Sequence, residues 1–123
     1  MTGLGVLVLG GVGALCRYVV DGAVQERWDG AFPFGTFVVN LSGSFALGVV
    51  VGAFLTHASW PESTRLMVGT GFVGAYTTFS TLTFESFRLL REGARLYALA
   101  NLAGSLVAGG IAAALGLWLG ERI

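Results

Sequence analysis

The chain contains no lysine: all seven basic side chains among its 123 residues are arginines, and seven acidic ones match them. With zero net charge there is no basic footprint to neutralise a phosphate backbone, so nucleic-acid binding is excluded. Cysteine is reduced to Cys16, which cannot close an intrachain disulfide. Histidine is reduced to His57, so no His/Cys cluster offers a zinc or iron site. His57 stands alone in a loop as a solvated interfacial residue, and no paired carboxylates supply acid–base chemistry, which leaves an enzyme without machinery. Charged residues make up only 11% of the chain, against roughly 25% in soluble domains. That is too few to build a water-facing surface. Disorder is excluded as well, because low hydrophobicity and high net charge are both missing.

What the chain has instead is 54% hydrophobic residues and 20 glycines. A polytopic membrane protein fits these numbers. Residues 1–16 carry no charged side chain and no A-x-A-like cleavage site, so the first apolar segment is expected to be retained in the membrane rather than removed. A helical span needs about 20 mostly apolar residues. Four stretches qualify, at about 4–24, 34–55, 66–84 and 96–119, which predicts an all-α membrane protein with a single four-span domain. The connections fall at 25–33, 56–65 and 85–95. Arg27, Arg88, Arg91 and Arg95 flank one face, and Arg65 and Arg122 the other. This bias places the termini outside only weakly and also suits insertion in both orientations.

Small residues recur at helical spacing. Ser44, Gly48 and Gly52 form one seam, and Gly104, Ala108, Ala112 and Gly116 form another. Such seams let helix backbones approach closely where lipid supplies no hydrophobic drive. They suit either packing within one bundle or contact with a second subunit.

Polar side chains inside spans are costly and mark either a structural bond or a pathway. Thr36, Asn40 and Ser44 recur every four residues on one face of the second span; Tyr97, Asn101 and Ser105 do the same on the fourth. These stripes hold hydrogen-bond donors without a carboxylate or a lysine. Two readings fit: interhelical hydrogen bonding, or a track that solvates a small ion without charging it. The third span crowds glycine, β-branched and hydroxyl residues between Gly69 and Thr81, a poor continuous helix. Unwound backbone at that depth must be buried or line a cavity. Freed carbonyls then suit a cation, and a new helix N-terminus suits an anion. A kinked but continuous helix is the alternative.

Four segments carry a resemblance. GGVGALCRY at 10–18, GTFVVNLSG at 35–43, GFVGAYTTFST at 71–81 and the Tyr97/Asn101/Ser105 stripe follow one another in order on the four short spans. Together they resemble the bacterial fluoride channels, the Fluc family, along nearly the whole chain. The resemblance implies passive, electrogenic fluoride export across the bacterial inner membrane, relieving fluoride toxicity. It implies a third helix broken at mid-membrane and a dual-topology dimer of antiparallel subunits in membrane lipid, with two pores. A central structural Na⁺ is implied on the backbone carbonyls of Gly74 and Thr77. The pore residues it implies are Asn40, Phe79, Ser80, Thr81, Tyr97, Asn101 and Ser105, and Thr36 joins them one turn before Asn40. Arg17 and Glu85 match family positions near span ends, Arg17 as a structural or vestibular group and Glu85 as a vestibule group.

The implied chemistry is coherent. Fluoride is strongly hydrated, so a pore must replace its water with close donors such as amide, hydroxyl and phenol groups. The positive edge of a phenylalanine ring faces an anion without a full charge that would trap it. One departure stands out: the family pattern continues to a second phenylalanine where this chain has Leu82. Phe84 is two residues further and about 200° around a helix, no simple substitute. Ala75 replaces a common glycine, a milder change. The dimer is therefore expected either with itself, with altered conduction, or with a non-identical paired family subunit. A proton-coupled drug exporter would need a carboxylate at mid-span, whereas Asp21 and Glu85 lie at span ends. A purely structural bundle would not need two donor stripes beside a broken helix.

Overall fold

The computed structural model describes residues 1–28, 30–57 and 59–123. Helix α1 (Thr2–Arg27) leads through a short loop to α2 (Phe34–Thr56). A single turn, α3 (Glu62–Arg65), continues directly into a π-helical segment (Leu66–Val73) and the short α4 (Gly74–Tyr76). Helix α5 (Phe79–Arg91) and helix α6 (Arg95–Gly120) complete the chain. The described residues contain no β-strand.

Local chemistry sets the boundaries. Pro33 precedes α2 with φ −82° and ψ 71°, and the Phe34 N–H donates to the Phe32 carbonyl at 2.9 Å. This is an inverse γ-turn, and the proline ring holds its φ. Pro61 likewise stands before α3, where Glu62 in the first turn pairs with Arg65. Helix α5 ends with Arg88 and Arg91 in its last turn, where cations suit the dipole. Gly93 then takes φ +84°. The Ala94 N–H donates to the Leu89 carbonyl and the Gly93 N–H to the Leu90 carbonyl, the paired bonds of a Schellman stop.

Three helices, α1, α2 and α6, are long and apolar enough to cross a membrane. Large side chains lie on the outside: Leu7, Leu15 and Val19 on α1, and Leu99, Leu106 and Ile111 on α6, are all exposed. Small and polar residues fill the inside. The buried set on α2 includes Gly35, Thr36, Val39, Gly43, Gly48 and Gly52. An apolar exterior of this extent is a liability in water and the expected surface in lipid, so the chain is a membrane protein.

The most extensive packing joins α2 to α6, while α1 lies on the π segment and α5 on α6. A Cβ on Gly48 would meet the Ala113 carbonyl, and one on Gly116 would meet the Phe45 carbonyl. The two small-residue seams therefore face each other within one chain, and plain bundle packing accounts for them.

The third region, 62–91, is longer than the expected span of 66–84 and carries the expected break. It is interrupted between Tyr76 and Phe79, and its second half runs to Arg91. Glu85 and Arg88 thus sit on a helix face rather than in a loop. Upstream of the interruption the chain winds as a π-helix, a form usually limited to single turns near functional sites. Gly69 and Gly71 are buried in it.

Candidate functional site

The site grows from the interruption. Thr77 (φ −79°, ψ 159°) and Thr78 (φ −148°, ψ 124°) are both extended. In a continuous helix the Thr78 N–H would bond the Gly74 carbonyl. Here it donates to Asn40 Oδ1 at 2.8 Å, and Asn40 Nδ2 donates back to the Thr78 carbonyl at 2.8 Å. The Thr81 N–H, which would otherwise reach the Thr77 carbonyl, donates to Thr78 Oγ1 at 3.2 Å. Two side chains thereby divert the donors that helical winding would send to Gly74 and Thr77. Neither carbonyl receives its helical hydrogen bond.

On the other side of the break, Thr78 caps α5. The first N–H groups of a helix have no intrahelical partner, so Phe79 and Ser80 open a positive helix end toward the break. A cavity of about 290 Å³ lies against it, lined by Asn40, Ser44, Gly74, Thr77, Phe79 and Ser105 among others. Ser105 Oγ is buried without a hydrogen-bond partner. Phe79 is 71% exposed, so its ring projects from the surface of the chain. Leu82 is buried and lines the same cavity.

A second cavity, about 160 Å³, is lined by Arg17, Asp21, Thr36, Thr78 and Thr81. It shares Thr78 with the first. Asp21 also lines a larger cleft of about 470 Å³ with Gln25, Pro33, Glu85, Arg88 and Glu92. Shared residues thus link the charged, loop-side end of the chain, through Asp21 and Thr78, to the break. Glu85 is half-buried there, and its Oε1 has no hydrogen-bond partner.

The sequence-derived set is distributed unevenly. Asn40, Gly74, Thr77, Phe79 and Ser105 share one cavity; Arg17, Thr36 and Thr81 share another. Ser80 is exposed, with its hydroxyl 3.4 Å from Thr78 Oγ1. Asn101 is fully buried and turned toward α5: Nδ2 donates to Ser86 Oγ at 2.8 Å, and Ser86 Oγ donates to the Leu82 carbonyl at 2.7 Å. Its Oδ1 has no partner. Tyr97 lies near the loop end of α6, half-exposed, against Phe32.

Three participants were absent from the sequence-derived set. Thr78 is the capping and bridging residue, Ser86 anchors Asn101, and Asp21 joins the cleft to the second cavity. Thr78 had a signal, a hydroxyl residue directly before α5 in the position that favours a cap. Ser86 had none, since a serine on an amphipathic helix looks like surface. Among the described residues no cluster of three His, Cys, Asp or Glu side chains could hold a metal.

The chain is similar to known proteins over nearly its whole length. The family model for "CrcB-like protein, Camphor Resistance (CrcB)" matches residues 4–117. The chain is 48% identical over 120 residues to "Fluoride-specific ion channel FluC 2" of Mycolicibacterium paratuberculosis, covering 98% of this chain and 94% of that protein. It is 47% identical over 123 residues to "Fluoride-specific ion channel FluC 1" of Frankia casuarinae, covering 95% of each. A third relative, "Fluoride-specific ion channel FluC 2" of Mycobacterium bovis, is 43% identical over 118 residues, covering 96% of this chain and 90% of that protein. A match over nearly the whole chain, to proteins of nearly the same length, establishes that the chain belongs to the CrcB-like family.

Proposed function

We propose that this chain is a subunit of a fluoride-specific ion channel, carrying F⁻ passively and electrogenically out across the bacterial inner membrane and so relieving fluoride toxicity. One observation carries the reading. A helix break with an open, positive N-terminus faces a cavity of neutral donors, in a chain nearly half identical to proteins named fluoride-specific channels.

The residues divide the work. The N-terminus of α5 supplies unpaired N–H groups for an anion. Ser105 Oγ and the Ser80 and Thr81 hydroxyls add donors, and the second N–H of Asn40 Nδ2 remains after the first is given to Thr78. The exposed Phe79 ring offers its positive edge. Among the described residues no lysine or arginine lines the cavity at the break, so binding stays weak enough for release. Arg17 and Glu85 serve the vestibule, one in the second cavity and the other in the outer cleft. Ser105 stands at the break itself, and Asn101, Tyr97 and Thr36 extend the track from it toward the loop-side end. Asn101 contributes chiefly by fixing α6 against α5 through Ser86.

In this reading the region 62–91 is the third of four crossings. Two subunits lie antiparallel, with two pores between them. The family's structural Na⁺ fits the donor set: the Gly74 and Thr77 carbonyls have been released from helical bonding, and two copies would offer four such oxygens. The ion would hold the two breaks together and take no part in conduction. Leu82, buried where a second ring is expected, favours pairing with a non-identical subunit, or a homodimer with altered conduction. A fluoride electrode on proteoliposomes tests the proposal. Efflux driven by a potassium diffusion potential supports it, and efflux strictly dependent on a proton gradient contradicts it.

A further inference from the structure

The loop between α1 and α2 contributes Phe32, which the site described above does not use, to an aromatic cluster. Phe32 lies at its centre, with ring centroids 4.7 Å from Phe34, 6.2 Å from Phe37 and 6.0 Å from Tyr97. Its plane meets that of Tyr97 at 86°, the edge-to-face arrangement. The backbone that presents Phe32 is fixed. Pro33 is buried, the inverse γ-turn closes on the Phe32 carbonyl, and the next turn is bound through Phe37 N–H to the Pro33 carbonyl at 3.2 Å. Gln25 Oε1, from the end of α1, accepts from the Gly35 N–H at 3.2 Å and ties the two ends of the loop together.

Tyr97 is the ring that α6 contributes to this cluster. It is half-exposed, and among the described residues no hydrogen bond anchors its hydroxyl. The position of its ring therefore follows from packing, and Phe32 is its aromatic neighbour. Pro33 meanwhile forms part of the wall of the charged cleft. The dipeptide Phe32–Pro33 thus stands between that cleft and the first residue of the α6 stripe.

We propose that Phe32 is a positioning residue for conduction. Held by the Pro33 turn, its ring fixes the Tyr97 phenol at the loop-side mouth of the α6 polar stripe. The inference rests on the fluoride-channel reading and extends it to a loop residue outside every span. An edge-to-face pair has an interaction strength that corresponds to about a two- to tenfold change in an equilibrium or a rate.

The test uses the full chain in proteoliposomes loaded with potassium fluoride, with a fluoride electrode outside and valinomycin to start efflux. Phe32→Ala should lower efflux about two- to tenfold, and Phe32→Tyr, which keeps the ring, should restore it. In a Tyr97→Phe background Phe32→Ala should lower efflux no further, because the hydroxyl it positions is gone. Fluorine NMR of protein labelled with 3-fluorotyrosine, its Tyr97 line identified by loss in Tyr97→Phe, should show that line shift or narrow in Phe32→Ala. An equal drop in both backgrounds, or a Tyr97 line that does not move, overturns the inference. Wild-type efflux that Phe32→Ala leaves unchanged overturns it while leaving the channel reading standing. A wild-type chain that retains fluoride both alone and co-reconstituted with a non-identical family subunit overturns the channel reading itself and, with it, any role in conduction, even if the Tyr97 line moves.

Discussion

Removing the Asn40 amide is the sharpest perturbation of the break. In Asn40→Ala two hydrogen bonds of 2.8 Å to the Thr78 N–H and carbonyl disappear, and both backbone groups are left part-buried. A net hydrogen bond is worth about 0.5–1.5 kcal/mol, with a further penalty when its partner stays unsatisfied. Measured side-chain bonds between membrane helices average nearer 0.6 kcal/mol. The pair together is therefore worth about 2 kcal/mol, or roughly a thirtyfold change in a local opening equilibrium. Hydrogen exchange of the Thr78 amide in lipid nanodiscs reads this directly. Exchange should quicken by about thirtyfold, while amides in the middle of α6 keep their wild-type rates. Fluoride efflux should fall in the same variant. Unchanged Thr78 exchange in a folded Asn40→Ala protein would refute the claim that this side chain holds the break open.

Other expectations follow from the same geometry. Phe79→Ile removes the exposed ring without touching the core, so fluoride efflux should be lost while size-exclusion profiles match wild type; unchanged efflux would take Phe79 out of the pore. Ser86→Ala deprives the buried Asn101 amide of its acceptor and should cost about 1–3 kcal/mol, seen as a lower unfolding midpoint in detergent; no shift would mean that Asn101 finds another partner. On the proposed dimer, replacing sodium with N-methylglucamine should lower the melting temperature, because the four carbonyls proposed to share a Na⁺ would lose it. Equal melting temperatures in the two salts would argue against a bound Na⁺.

Much of the fold is legible in the chain because membrane burial constrains composition so strongly. The apolar stretches at 4–24, 34–55 and 96–119 correspond to α1, α2 and α6, with ends extended by one to three residues where no capping chemistry stops them early. The interruption of the third region was visible in its run of glycine, threonine and serine, which have little preference for continuing a helix. Its neighbours were less visible. Nothing in the letters distinguishes π from α winding around Gly69 and Gly71, and the amphipathic α5 carries its charged face two turns past Phe84. Spacing alone identified Asn40 as a polar residue on one face of α2. Its commitment to Thr78, 38 residues away, depends on how the broken helix lies across α2. Asn101 shows the same limit: its period placed it on a stripe, but Ser86 decides where its amide points.

Whether this chain conducts fluoride, as proposed, is decided in liposomes. The direct measurement is fluoride efflux from liposomes holding the purified chain, alone and co-reconstituted with a non-identical family subunit. A potassium diffusion potential should drive rapid efflux that is indifferent to a proton gradient. Fluoride retained in both preparations by a folded, inserted protein would contradict the account.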